Sequence, residues 1–427
     1  MKKRRTGRFA AGLLLAAALA AAGMSPPLRA FESLPDALFL TSGAQTELRF
    51  TLPGSAELEA GSEAVISSFD QSASELGNTV TLTAGEEAGE ATLTYRLLGL
   101  IPVKTVSVTV EKERTLIPGG QSVGVALLTE GVVVVGSSDV GKSPSPAYQA
   151  GIRPGDRILS VNGTPVAGSE QLRALVGEGG EAVLEVARGE ETITVSVEPA
   201  LDPADGAYRL GAWVRDSTAG IGTLSFYDPE DDTFGALGHA ITDVDTGIVL
   251  PVGYGGIYES AVVDIEKGKS GEPGELLGQF FDAETQLGEV TENTDFGIFG
   301  TTNEEIVNPL YPDGLPVGTR GDIHTGQAQL LTTLVDGEIR AYDCEIVKLS
   351  DQDAPATRSM VIKVTDEALL QATGGIVQGM SGSPIVQDGK LVGAITHVFI
   401  NDPTQGYGVY IEWMLDAAGR GETGHSG

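Results

Sequence analysis

Several residue types are scarce in this chain, and each shortage excludes a class of protein. One cysteine in 427 residues excludes an intramolecular disulfide and a thiolate metal cluster, so Cys344 is predicted to be a small buried apolar residue. Basic residues are also few, because 27 Lys and Arg face 59 Asp and Glu, a formal net charge of −32. Nucleic acids bind to basic surfaces, and a nucleic-acid partner is therefore not expected.

Histidine is scarce as well, with four residues in the whole chain. His239, His324 and His397 have no short paired spacing, and no His-Glu-x-x-His motif occurs, so we predict neither a metal site nor a cofactor. A content of 41% hydrophobic residues is typical of a folded protein, and the length favours two or three domains.

The N-terminal segment carries most of the clustered positive charge. Residues 1–30 contain six Lys or Arg and no acidic residue, and they include an apolar run from Ala10 to Met24. This pattern is typical of an export signal. The run has about 15 residues and a membrane span needs about 20, so cleavage is predicted, with an uncleaved membrane anchor as the alternative. We therefore expect an extracytoplasmic protein.

Two domains are predicted before the C-terminal half. Residues 31–113 alternate apolar and polar side chains in short runs, which predicts a small β domain. Residues 114–200 have a mixed pattern in which Pro154-Gly155-Asp156 predicts a turn and Asn162-Gly163 a tight hairpin. Ser169 is predicted to cap a short helix that ends at Gly177.

The stretch from Ala150 to Gly163 resembles a PDZ domain of the bacterial protease type, an α+β fold that binds peptides. The resemblance covers about 80 residues. It implies that the carboxylate-binding loop is Ser122, Val123, Gly124 and Val125, where consecutive backbone N–H groups hold a peptide terminus while the peptide adds a strand.

Residues 201–427 are rich in glycine and in predicted strands, with turn signals about every ten residues, which predicts an all-β barrel or sandwich. Gly379-Met380-Ser381-Gly382-Ser383-Pro384 places a serine among glycines. Such a turn exposes Oγ and aims the backbone N–H groups of Gly379 and Ser381 at an oxyanion. The six residues resemble the nucleophile motif of chymotrypsin-like serine proteases, which implies a double β-barrel.

A serine nucleophile needs a general base, and three histidines are candidates. His239 lies between small residues, 142 positions before Ser381, in the chain order of chymotrypsin-like enzymes. It is the favoured base, and His324 and His397 remain alternatives. The orienting carboxylate is open, since spacing does not choose among the aspartates of this domain: Asp243, Asp245, Asp264, Asp295, Asp343 and Asp366.

The chain as a whole resembles the stage IV sporulation protein B peptidase family. The motifs that carry the resemblance are Leu98-Gly99-Leu100-Ile101-Pro102, the PDZ segment, Gly238-His239-Ala240 and the run Gly374 to Pro384. The resemblance implies a secreted Ser-His-Asp endopeptidase with Ser381, His239 and Asp366 as its triad. It also implies a role between the forespore and mother-cell membranes. There the peptidase cleaves itself and the extracytoplasmic part of a membrane regulator, which triggers intramembrane proteolysis of a pro-sigma factor.

Two other interpretations remain open from the residues alone. One is a catalytically idle extracytoplasmic adaptor whose PDZ domain binds peptides. The other is a periplasmic quality-control protease, although such proteases carry PDZ domains after the protease domain and not before it. The acidic, glycine-containing stretch Asp264 to Glu275 is predicted to be an exposed loop that serves as a self-cleavage or regulatory site.

Overall fold

The computed structural model describes residues 35–59, 61–74, 77–189, 191–280, 285–350 and 354–419. The predicted export segment and His425 lie outside these ranges. The chain divides into two compact units, one made of the residues up to Arg114 with Thr319–Asp322, and the other of the remainder. In the described ranges no helix is long and apolar enough to cross a bilayer.

The N-terminal unit is built from short strands, as its alternating sequence predicts. Its strands are β1 (Ala37–Thr41), β2 (Gln45–Phe50), β3 (Gly54–Leu58), β4 (Ile66–Ser74), β5 (Gly77–Ala84), β6 (Gly89–Leu97) and β7 (Ile101–Glu111). They form two sheets, with strand orders β1-β7-β6-β3 and β2-β5-β4. Inward-facing residues of both sheets, among them Phe50 stacked on Tyr95 with ring centroids 4.0 Å apart, share one core.

The second unit opens with an α+β region. Its elements are β8 (Thr115–Pro118), β9 (Ser122–Ser137), α1 (Pro146–Gln149), β10 (Arg157–Val161), β11 (Thr164–Pro165), α2 (Ser169–Val176), β12 (Ala182–Arg188), β13 (Glu191–Val197), β14 (Ala200–Leu201), β15 (Tyr208–Arg209) and β16 (Ala212–Asp228). The predicted Asn162-Gly163 turn joins β10 to β11, with φ of +52° and +77°. The predicted cap is wrong, because Ser169 is inside α2 and its N–H donates to the Asp216 carboxylate at 2.7 Å.

The rest of the unit is almost entirely β. Its elements are β17 (Thr233–Ala236), β18 (Tyr254–Glu266), β19 (Glu275–Phe280), β20 (Gln286–Thr294), β21 (Gly297–Thr302), β22 (Leu315–Pro316), β23 (Gly326–Thr333), β24 (Ile339–Leu349), β25 (Met360–Val364), α3 (Glu367–Thr373), β26 (Pro384–Gln387), β27 (Lys390–Val398), β28 (Gln405–Tyr410) and α4 (Ile411–Gly419).

Two closed barrels follow from the strand pairings of the described residues. In the first barrel the ring of paired strands is β9-β16-β17-β21-β20-β18 and back to β9. In the second barrel the ring is β23-β24-β25-β28-β27-β26. Counted in chain order, both rings have the order 1-2-3-6-5-4. This repeated order confirms the predicted double β-barrel of the chymotrypsin-like type.

The strands β9 and β16 are long because each serves two domains. Ala212–Arg215 of β16 pairs with the far end of β9 in the α+β region, whereas Ser217–Thr223 pairs with Leu128–Ser122 in the first barrel. The register shifts between these two stretches. The α+β region and the first barrel therefore share these two strands, and the α+β region takes the second half of β9 and the first residues of β16.

Candidate active site

The loop that carries Ser381 has the tight form its glycines predict. Gly379 and Gly382 adopt φ of +93° and +94°, a region that other residues enter only with strain. Inside the loop, the Ser383 N–H donates to the Met380 carbonyl oxygen at 3.0 Å. A Cβ on Gly382 would lie 2.1 Å from the Thr223 carbonyl oxygen. The loop therefore fits against the first barrel only with glycine at this position.

The hydroxyl of Ser381 is directed to a backbone oxygen. Its Oγ donates to the Thr396 carbonyl oxygen at 2.8 Å. Within the described chain, neither the Gly379 N–H nor the Ser381 N–H donates to any acceptor. Two free amide donors in the loop that carries a serine hydroxyl have the composition of an oxyanion hole.

His239 follows β17 at the end of a strained turn. Leu237 and Gly238 have φ of +69° and +68°, and the His239 Nδ1 lies 2.8 Å from the Ala240 carbonyl oxygen. A carbonyl oxygen only accepts, so the proton of the neutral ring is on Nδ1, and Nε2 keeps its lone pair. Burial lowers the pKa of His239 below its usual 6.5. This tautomer is the one that a general base needs.

Ser381 and His239 line the same cleft between the two barrels. The cleft has a volume of about 590 Å³, and its walls include Thr218 of the first barrel and Gly379 of the second. The first barrel thus supplies the histidine and the second barrel supplies the serine and the free amides. A peptide in this cleft would therefore lie beside Ser381, His239 and Gly379 together.

Comparisons with known proteins identify the family of this part of the chain. Residues 206–415 match the model of the SpoIVB peptidase S55 family, and residues 141–188 match a PDZ domain. The matched residues contain the second barrel, five of the six strands of the first barrel, and both Ser381 and His239, and we call them the S55 domain. The match confirms the family predicted from the motifs and, for this domain, the predicted class, a serine peptidase.

Other similarities are more limited. A Lactococcus lactis subsp. lactis protein described as a zinc metalloprotease is 41% identical over 69 residues, which are 16% of this chain and 16% of that protein. Two structures of the Rv3671c protease of M. tuberculosis, an inactive and an active form, are each 15% identical with TM-scores of 0.26 and 0.27. Each covers 47% of this chain, and the matches span 83% and 74% of those proteins. The fold assignment of the S55 domain rests on its own strand order.

A second histidine lies in the cleft of the S55 domain. The ring of His397 is 4.8 Å from the ring of His239. Burial, together with His239 and Arg358, lowers the pKa of His397 to about 4. A group with so low a pKa is a weak base, which favours His239 as the base. His397 is placed in the wall of the cleft.

The remaining histidine candidate is outside the cleft. His324 is exposed, and its Nε2 is 2.7 Å from the Asp388 carboxylate. The Thr325 carbonyl oxygen and Asp388 raise its pKa above 6.5. His324 does not line the cleft of Ser381, so the structure does not bring it to the nucleophile.

Asp366 does not meet His239 in this structure. It is the N-cap of α3, where its Oδ1 accepts from the Leu369 N–H at 2.9 Å. Thr357, before β25, lines the cleft, whereas Asp366 follows the other end of that five-residue strand, a length of about 16 Å. In the described chain no carboxylate bonds to His239, and the Ala240 carbonyl takes that place. Asp295, in the turn between β20 and β21, is the aspartate that lines the cleft.

The two roles of Asp366 are separable by substitution. Asn caps helices as well as Asp does, whereas Ala costs about 1 kcal/mol at this position. We expect Asp366→Asn to keep the wild-type rate of serine labelling and Asp366→Ala to lower the thermal midpoint of unfolding. A large loss of labelling rate in a stable Asp366→Asn protein would show that Asp366 orients His239 in the working enzyme.

The pH dependence of Ser381 labelling tests the environment of His239. The base acts when neutral, and burial lowers its pKa, so the labelling rate should fall on acidification with a midpoint below pH 6.5. The measurement is the second-order rate constant of labelling between pH 4.5 and 9. A midpoint above 6.5 would contradict this expectation, since a carboxylate partner raises the pKa of a histidine.

The predicted carboxylate-binding loop is wrong. Ser122, Val123, Gly124 and Val125 belong to β9 in the first barrel, where one edge pairs with β16 and the other with β18. A peptide cannot add a strand at an edge that is already paired. In addition, Phe280 covers Gly124, since a Cβ there would lie 2.3 Å from the Phe280 side chain.

The open groove of the PDZ domain lies elsewhere. A cavity of about 300 Å³ separates α2 from Leu210–Val214, and Leu172, Arg173 and Val176 of α2 line its other wall. Ala212 and Trp213 pair with β9 on one edge, and within the described residues their other edge is free. The sequence feature that could have predicted this groove is the triplet Leu210-Gly211-Ala212, a glycine between two apolar residues at the start of a strand.

Proposed function

We propose that the S55 domain is a serine endopeptidase in which Ser381 is the nucleophile and His239 the general base. The observation that carries the proposal is the convergence of Ser381, His239 and two free amide N–H groups in one cleft. Each of the two barrels contributes one reacting side chain, and the tautomer of His239 leaves Nε2 able to take a proton.

The reaction follows from these positions. Ser381 Oγ leaves the Thr396 carbonyl oxygen, transfers its proton to His239 Nε2 and attacks the scissile carbonyl carbon. The Gly379 and Ser381 N–H groups stabilise the oxyanion of the tetrahedral intermediate. His239 then gives the proton to the leaving amine. Water hydrolyses the acyl-enzyme by the same steps, and Ser381 regains its proton.

We propose that the substrate is the extracytoplasmic part of a membrane regulator of an intramembrane protease, together with a second copy of this chain. The family resemblance supports this substrate. The export-type segment of residues 1–30 supports action outside the cytoplasm, in the space between the forespore and mother-cell membranes. The groove between α2 and Leu210–Val214 supports capture of a peptide by the PDZ domain.

Cleavage in trans tests this proposal. Wild-type chain is mixed with the full Ser381→Ala chain carrying a distinguishing tag, and fragments are followed over time by mass spectrometry. We expect defined fragments of the tagged chain that do not appear when Ser381→Ala is incubated alone. An intact tagged chain alongside a labelled Ser381 would refute self-cleavage. An intact chain with unreactive Ser381 would favour the catalytically idle adaptor, in keeping with the resting bond from Ser381 to Thr396.

A further inference from the structure

The loop of the antiparallel hairpin β18–β19, residues 267–274, is bonded to the second barrel, and we name it the strap. The sequence predicts an open loop here. In the structure the Gly268 N–H donates to the Thr373 carbonyl oxygen and the Gly271 N–H to the Ile400 carbonyl oxygen, both at 2.8 Å. Gly268 and Gly274 are buried and the other strap residues are exposed, but the backbone of the strap is bonded to the second barrel.

Two side chains of the strap add further bonds to the second barrel. Lys267 Nζ donates to the Gln371 carbonyl oxygen at 2.6 Å, and Ser270 Oγ donates to the Asn401 carbonyl oxygen at 2.8 Å. Their acceptors lie in α3 and just after β27. Lys269, on the same strap, is exposed, and its side chain has no partner among the described residues.

The strap ends against the residue that precedes the oxyanion loop. The Gln378 N–H donates to the Gly274 carbonyl oxygen, and the Leu276 N–H donates to the Gln378 carbonyl oxygen, both at 2.8 Å. Glu275 and Gln378 thus form a parallel bridge. Leu276 is buried in the core of the second barrel, and a Cβ on Gly379 would lie 3.0 Å from its Cβ.

This contact has a direct consequence for the amide of Gly379. The Gln378 carbonyl and the Gly379 N–H belong to one planar trans peptide group, so they point in opposite directions. Since Leu276 holds the carbonyl oxygen, the Gly379 N–H points away from Leu276, and Gly379 itself lines the cleft. The second free amide is the Ser381 N–H, which belongs to the same peptide group as the Met380 carbonyl. This peptide group is fixed inside the loop, because the Met380 carbonyl oxygen accepts a hydrogen bond from the Ser383 N–H.

We propose that the strap and the first residues of β19 together position the oxyanion hole by fixing the peptide plane between Gln378 and Gly379. The inference rests on the proposed function and deepens it. Without the bond from Leu276, this peptide group is free to rotate about its flanking Cα atoms. Rotation would turn the N–H out of the cleft and point a carbonyl oxygen at the developing negative charge. Leu276 and Gly274 are therefore positioning residues of the reaction, supplied by the first barrel to a loop of the second.

Three variants of the full chain test the strap. Gly274→Ala places a Cβ 2.1 Å from the Glu266 carbonyl oxygen and 2.3 Å from the Gly268 nitrogen, which forces the end of the strap apart. The double variant Lys267→Met with Ser270→Ala removes both side-chain bonds and keeps the glycine. Lys269→Met is the matched control, since it makes the same charge change at a side chain without a partner.

The probe is a fluorescent alkyl fluorophosphonate. Its phosphorus bonds to Ser381 Oγ, fluoride leaves, and the proton of the serine passes to His239. The phosphonyl oxygen occupies the oxyanion hole. The maximal labelling rate and the half-saturating probe concentration are measured separately, with the final labelled fraction as a count of folded sites.

We expect Gly274→Ala to lower the maximal labelling rate about tenfold or more, up to the roughly 10²- to 10³-fold cost of losing an oxyanion donor. The double variant should show a smaller fall, and Lys269→Met should match wild type. The half-saturating concentration and the final labelled fraction should not change. If Gly274→Ala does not fold, the maximal labelling rate of the double variant tests the inference.

A maximal rate that is unchanged or increased in the folded strap variants would overturn the inference, and so would a fall caused only by a lower labelled fraction. The wild-type protein separates this result from failure of the proposed function. An unlabelled Ser381 in the wild type refutes the nucleophile itself, and the inference about the strap with it.

Discussion

Ser381→Ala lowers the rate of peptide hydrolysis by about 10⁴-fold or more, since loss of a nucleophile leaves only the residual catalysis of the oxyanion hole and of substrate binding. The fold should survive, because Ser381 Oγ bonds only to the Thr396 carbonyl oxygen. Loss of one such bond costs about 1 kcal/mol. The measurement is the rate of cleavage of the tagged chain, with the thermal midpoint recorded in parallel.

His239→Gln should give a loss of similar size, because base and nucleophile act as a unit. The matched control is His324→Gln, which changes an exposed histidine paired with Asp388 outside the cleft. We expect wild-type rates from this control. Comparable losses in both histidine variants would argue against His239 as the base.

We expect Gly382→Ala to destabilise the contact between the serine loop and the first barrel. Its Cβ would lie 2.1 Å from the Thr223 carbonyl oxygen and 2.5 Å from the Leu237 nitrogen, at φ of +94°. These are backbone atoms of the first barrel that do not move as a flexible side chain does. Strain of this kind, added to the φ penalty, predicts a loss of about 3 kcal/mol or more.

Such a loss lowers the thermal midpoint by about 6–12 °C in a domain of this size, and labelling of Ser381 should fall with it. The transition is followed by fluorescence of Trp413, which is buried in the core of the second barrel. Gly389→Ala is the matched control, because Gly389 has φ of +77° but nothing within 4 Å of an added Cβ. If Gly382→Ala lowers the thermal midpoint no more than Gly389→Ala does, the contact between the serine loop and the first barrel tolerates the methyl group.

The parts of the fold that local patterns determine could be predicted from the sequence. Alternating residues predict strands, Asn162-Gly163 predicts a hairpin, and glycines around Ser381 predict an exposed hydroxyl. Burial of Cys344 was predicted because it is the one cysteine in the sequence, and the structure buries it. This burial raises the pKa of its thiol to about 12. In each case the neighbours in sequence are also the neighbours that determine the structure.

The incorrect predictions concern segments whose structure is determined by residues far away in the sequence. Ser122–Val125 has the local form of a peptide-binding strand, but β16 and β18, about 100 and 135 residues later, occupy both of its edges. The strap has the composition of a loop, but hydrogen bonds to Gln371, Gln378 and Asn401, which lie far away in sequence, fix its conformation. Asp366 had a local signal that would have helped, since Thr365-Asp366-Glu367 before an apolar helical run is typical of a helix N-terminus.

The central claim is that Ser381 is a nucleophile activated by His239, and mapping of a covalent adduct tests it most directly. The full wild-type chain, Ser381→Ala and His239→Gln are incubated with the fluorophosphonate probe at pH 7.5, digested and analysed by mass spectrometry. We expect one adduct, on Ser381, which is absent from Ser381→Ala and forms far more slowly in His239→Gln. An adduct on another serine, or none in the wild-type protein, would contradict it.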